Sequence, residues 1–84
     1  MHEYHLAKIV LDSVLKNINP QEIKRVTRIF LEVGVSKMVT PTSLQEAFSL
    51  VARSSPAAGA ILEIKDTMGD SLVVKSIEVE NSKE

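Results

Sequence analysis

Both histidines of this chain fall within its first five residues, Met1-His2-Glu3-Tyr4-His5. An α-amino group titrates near ~7.7–8.0, so it can lose its proton close to neutral pH. In an N-terminal X-His sequence that amine, the next amide nitrogens and the His2 imidazole can reach one ion. This set of nitrogens suits Cu(II) or Ni(II) in a tetragonal plane. Glu3 can add an oxygen, and His5, one helical turn further on, can approach the same face. The plainer alternative is an ordinary helix start, in which Glu3 favours the positive end of the helix dipole and His5 packs or points to water.

No other constellation carries chemistry. No Ser lies in a Gly-flanked elbow, and the three glycines, Gly34, Gly59 and Gly69, are isolated, so there is neither a nucleophile nor a phosphate loop. No catalytic residue is expected. Glu78 and Glu80 read as solvated carboxylates on a strand face. Lys24, Arg25 and Arg28 form a small basic patch with no aromatic interleaved, which suits strand-edge solvation or a protein contact better than nucleic acid. Ten Lys plus Arg against eleven Asp plus Glu give a net charge of −1, which also opposes broad phosphate-backbone binding. The absence of cysteine excludes disulfides and thiolate metal sites within this sequence.

The elements that must position the terminus follow from periodicity. A length of 84 residues predicts one domain, and 44 % hydrophobic against 25 % charged residues predicts a globular one. With two Phe and one Tyr, its core must be aliphatic. Residues 4–18 read as a helix, with Leu6, Val10, Val14 and Ile18 in one row and Ala7, Leu11 and Leu15 in the next. Lys8, Asp12 and Lys16 lie opposite, and Pro20 stops the helix. Residues 24–33 read as a strand with Thr27, Ile29, Leu31 and Val33 on the core face and Val26, Arg28, Phe30 and Glu32 on the other. Thr40 suits an N-cap and Pro41 the first position of a second helix, with Leu44, Ala47, Phe48 and Val51 at helical spacing.

Residues 60–66 alternate as a second strand, with Ala60, Leu62 and Ile64 on one face. Residues 67–71 form a turn with a Gly-Asp centre, and 72–80 a third strand with Val73, Ile77 and Val79 inward and Lys75 interrupting that face near an edge. A short turn makes the last two strands antiparallel. The fold class is thus α/β in the two-layer α+β sense: order α-β-α-β-β, a mixed three-stranded sheet, both helices on one face. Residues 1–80 make a single domain, and 81–84 should fray. The longest apolar run is far below the ~20 residues that span a bilayer, and no secretory signal is visible, so a cytoplasmic protein with no membrane partner is expected.

The ordered segments resemble the HypA/HybF hydrogenase nickel-incorporation metallochaperones. They are Met1-His2-Glu3-Tyr4; Lys24-Arg25-Val26-Thr27; Leu31-Glu32-Val33-Gly34; Pro41-Thr42-Ser43-Leu44 with Ala47-Phe48; Ala60-Ile61-Leu62-Glu63-Ile64; and Leu72, Lys75 and Ser76-Ile77-Glu78-Val79-Glu80. The resemblance implies a nickel-binding module that delivers Ni(II) for maturation of NiFe hydrogenase, in some organisms of urease. It implies a nickel-handling maturation GTPase and the hydrogenase large-subunit precursor as partners, and the Met1 amine, His2 and Glu3 as ligands. Family members usually insert a zinc domain with two Cys pairs where Met68-Gly69-Asp70 stands here, so the junction lies near 67–71 and no zinc is expected. Some relatives supply a loop carboxylate where Thr40 stands, whereas position 5, often small in relatives, is His5; His5 is therefore added to the ligand set. The rival reading is a non-catalytic interaction module that has lost metal delivery, either monomeric or a homodimer formed through a sheet edge or a swapped strand.

Overall fold

The computed structural model describes residues 2–81, with only the backbone at position 2. Helix α1 runs His2–Lys16, strand β1 Ile23–Gly34, helix α2 Pro41–Val51, strand β2 Ile61–Thr67 and strand β3 Leu72–Asn81, with one 3-10 turn at Val35–Lys37. The expected element order is present. Leu6, Ala7, Val10 and Val14 of α1 are buried with Leu44, Ala47 and Phe48 of α2 against Ile29, Leu31, Val33 and Leu62 of the sheet. The core is aliphatic around one aromatic ring, Phe48, which is fully buried.

Local chemistry sets the boundaries. After α1, the Asn17 side chain donates to the Ser13 carbonyl. The Asn19 side chain accepts from the Gln21 amide, and the Asn19 carbonyl accepts from the amides of Glu22 and Ile23, which turns the chain into β1. Helix α2 starts as expected. Thr40 Oγ1 accepts from the Ser43 amide, Ser43 Oγ accepts from the Thr40 amide, and Pro41 opens the first turn.

The sheet order is β2-β1-β3, with β1 parallel to β2 and antiparallel to β3. Strands β2 and β3 therefore run in opposite directions, as expected, but they do not form a hairpin, because β1 lies between them. The link 68–71 has to cross two interstrand spacings, roughly 10 Å, within reach of four residues at ~3.3–3.6 Å each. It passes over the end of β1. The Gly34 amide donates to the Ser71 carbonyl at 2.7 Å and the Ser36 amide to the Gly69 carbonyl at 2.9 Å. A Cβ at position 34 would stand 2.3 Å from the Gly69 carbonyl oxygen, so only glycine admits this crossing.

Two inward faces differ from the alternation read in the sequence, and β-bulges are the cause. In β1, Val26 is buried, whereas Thr27 is half-exposed and donates its hydroxyl to the Glu78 carbonyl at 3.2 Å. The register breaks between Val26 and Arg28, which shifts the inward set by one residue. In β3, Leu72, Val74 and Ile77 pack on the core, while Val73 and Val79 are 41 % and 37 % exposed. There the pairing passes from Phe30 with Ser76 to Leu31 with Val74, leaving Lys75 as the extra residue. Asn81, assigned to a fraying tail, instead pairs with Ile23; positions 82–84 lie outside the described residues.

Candidate metal centre

Helix α1 begins at His2, earlier than periodicity alone suggests, so the residues singled out at the terminus belong to its first turn. The first four amides of an α-helix have no partner in the i→i−4 ladder. Their N–H groups leave the helix end as free donors, and Glu3 sits where the helix dipole favours a carboxylate; such a nitrogen ligates a metal only after losing its proton. Met1 and the side chain of His2 lie outside the described residues.

Glu3 is half-buried. It lines a groove of about 150 Å³ together with Tyr4, Ser43, Glu46 and Ala47. The groove exists because α1 and α2 pack with their first turns side by side. Alanines on the buried stripes, Ala7 on α1 and Ala47 on α2, keep that helix pair slender. His5 is exposed and does not line the groove. At ~100° per residue, position 5 lies about 200° round the helix from position 3, on the solvent side that carries Lys8 and Ile9. The structure thus brings Glu3 together with Glu46 and leaves His5 apart from both. Among the described residues, no three His, Cys, Asp or Glu side chains gather into a metal-holding group.

Glu46 is the residue that sequence reasoning passed over. Nothing in the α2 pattern singles it out, since it lies on the exposed side of that helix. Gln45 was also missed. Its Nε2 donates to the Ala60 carbonyl at 3.2 Å and its Oε1 accepts from the Leu62 amide at 2.8 Å, fixing α2 to the start of β2.

The open face of the sheet is electrostatically different. Arg28 bridges Glu63 and Glu78, while Arg25 and Lys24 both meet Glu80. The basic patch read from the sequence is thus paired, and so are Glu78 and Glu80, which were expected to be merely solvated. The hydrogen bond from the Arg25 guanidinium, followed by its charge, holds the Glu80 carboxyl below its ordinary value. A larger groove on this face, about 320 Å³, has Phe30 as its apolar floor, with Glu32, Lys65 and Lys75 among its charged lining. No histidine contributes to it.

The start of α1 thus offers one half-buried carboxylate, Glu3, beside a groove shared with α2. The sequence pattern of a metallochaperone family, hydrogenase/urease nickel incorporation, HypA, matches residues 1–72, and the chain belongs to this family. It is similar to the hydrogenase maturation factor HypA of Paracoccus denitrificans, with 38 % identity over 72 residues, covering 86 % of this chain and 64 % of that one. HypA of Archaeoglobus fulgidus is 33 % identical over 70 residues, covering 83 % and 64 %. The chain therefore spans a little under two thirds of the length of these relatives. Hydrogenase maturation factor HybF of Escherichia coli K12 aligns over 113 positions at 26 % identity, covering 95 % of this chain and all of that one. No helix among the described residues is long and apolar enough to cross a membrane.

Proposed function

We propose that this chain is the nickel-carrying part of a HypA-type metallochaperone, binding Ni(II) at the start of α1 and passing it on for maturation of hydrogenase, or of urease. The ligands are the Met1 α-amine, the His2 imidazole and amide, and Glu3. The observation that carries this reading is Glu3, held half-buried in the groove beside α2 at the start of α1. Nitrogen donors from amine, amide and imidazole fit Ni(II). His5 is an auxiliary donor that can join Glu3 only if the first turn unwinds. If His5→Ala leaves nickel affinity and spectrum unchanged, it is not a ligand.

Transfer is ligand exchange. A shallow site at a chain terminus gives its ion to an acceptor with more or better-placed donors, whereas a closed site would release slowly. The amine and imidazole must be unprotonated and the amide nitrogen must give up its proton to solvent on binding, so affinity falls on acidification, through roughly pH 6.5 for an ordinary imidazole. A flat affinity between pH 5 and 8 contradicts the ligand set. A cytoplasmic nickel-handling GTPase and the hydrogenase large-subunit precursor are the proposed partners. The zinc half of the family is proposed to be missing, its place taken by residues 68–71, since this sequence contains no cysteine.

The deciding experiment titrates Ni(II) into protein with a native Met1 amine and into protein extended at its N-terminus, following the band of a nitrogen-rich complex. Binding should vanish with the extension. Binding that survives it removes Met1 from the site. Edge-to-edge dimerisation, the second reading, would use the outer side of β2 or of β3; light scattering across concentration decides it.

A further inference from the structure

We infer that the free edge of β2 pairs with the same edge of a second copy of this chain, antiparallel and centred on Ile64. This does not need the nickel reading; it rests on the edge-to-edge association named above and specifies its edge, direction and register. Alternate residues of a strand turn their backbone N–H and C=O groups to opposite sides. Strand β1 takes one side of β2. The other side is marked by Gln45, whose side chain accepts from the Leu62 amide and donates to the Ala60 carbonyl, so Leu62, Ile64 and Asp66 point outward. Gln45 stands where a neighbouring strand would stand, but it covers only the start of the edge. The Leu62 carbonyl, both backbone groups of Ile64 and the Asp66 amide have no partner among the described residues.

These groups are complementary to themselves. A two-fold axis through Ile64, perpendicular to the sheet, sets Ile64 opposite its own copy, Leu62 opposite Asp66 and Glu63 opposite Lys65. The two Ile64 residues then exchange N–H···O=C bonds, and each Asp66 amide donates to the Leu62 carbonyl of the other copy, while the Leu62 amide stays with Gln45. Glu63 and Lys65 fall at the non-hydrogen-bonded positions, where facing side chains come closest and opposite charges attract. Both are exposed. Lys65 makes no ion pair among the described residues, although Glu32 stands opposite it on β1. Glu63 engages Arg28 through one carboxylate oxygen, Oε2, which leaves the other for Lys65 of the second copy. The result is one continuous six-stranded sheet, β3-β1-β2 joined to its copy, with all helices on one face. Strand β2 pairs with β1 without a register break, so its outward groups keep a regular spacing. On β3 the extra residue Lys75 interrupts that spacing.

The test is sedimentation of the full, metal-free chain across concentration, which should show a monomer–dimer equilibrium. Lys65→Glu alone and Glu63→Lys alone each set like charges opposite one another twice per dimer, and each should weaken association about tenfold. Mixed in equal amounts, the two variants should associate as the wild type does, because every facing pair is again opposite in charge. Asp66→Pro deletes an outward amide that β1 does not use, so it should keep the fold by circular dichroism and lose the dimer. Lys75→Glu, on the other edge, should leave association unchanged. A wild type that stays monomeric at every concentration overturns the edge reading and this inference with it. A dimer that survives the single charge changes, or that Lys75→Glu disrupts, uses another surface, and this inference alone falls. It falls equally if the mixed variants do not recover association.

Discussion

On the helix-covered side of the sheet, Ile29, Leu31, Val33 and Leu62 lie among Val10, Val14, Leu44 and Phe48, and no polar or charged residue among those described is buried. On the open side, Arg28 sits between Glu63 and Glu78, and Arg25 beside Glu80, around a half-buried Phe30. The same three strands face both environments. Apolar burial yields roughly 25 cal/mol per Å², whereas solvent-exposed ion pairs contribute about 0–1 kcal/mol. The covered side therefore holds the fold together, and the open side contributes little to stability. The start of α1 belongs to neither: it lies where the two helices meet the solvent, and the groove beside it is defined by helix packing instead of by the sheet.

Substitutions can break this contrast in order of size. Phe48→Ala, at the fully buried centre, should cost about 3–5 kcal/mol in denaturant unfolding; a cost below 1 kcal/mol would mean that the core does not close around this ring. Gln45→Ala leaves the Leu62 amide and the Ala60 carbonyl without their partner and should cost about 1–3 kcal/mol. Thr40→Ala removes the α2 cap, for about 1 kcal/mol. It should also disturb the groove beside Glu3, because Ser43 serves both the cap and the groove.

The smallest effect belongs to the open side. The Glu80 carboxyl is lowered in the folded state, so its stabilising contribution is present above the ordinary carboxylate value of 4.5 and is lost as pH falls through the lowered folded value. Glu80→Gln should therefore flatten the acid limb of stability slightly and leave neutral stability nearly unchanged. A large loss at pH 7 would show that the ion pairs do more than the contrast allows.

Much of this was legible in the sequence because it follows from period and punctuation. The leucine–valine rows of α1, the Thr40-Pro41 start of α2 and the alternation of β2 each encode their element within a few neighbours. The bulges were not legible. An extra residue in one strand depends on its partner strand, and nothing local at Val26 or Lys75 marks the slip. The central place of β1 was hidden for the same reason, since a Gly-Asp turn reads as a hairpin whether or not another strand passes between. At the site, His2 and Glu3 stood out because terminal donors are a sequence property. Glu46 did not, because its relation to Glu3 exists only once two helices have packed.

The path of 68–71 over the end of β1 has an architectural consequence. The chain leaves the sheet on one flank of β1 and re-enters on the other, two strand spacings away, beside the Gly34 terminus. A longer segment placed between Thr67 and Leu72 would be moored at two separated points. Two moorings permit nodding and resist swivelling, so such a segment would keep one side towards β1 as it moved. At 68–71 the moorings are drawn together into a short bridge, and the sheet is complete beneath it.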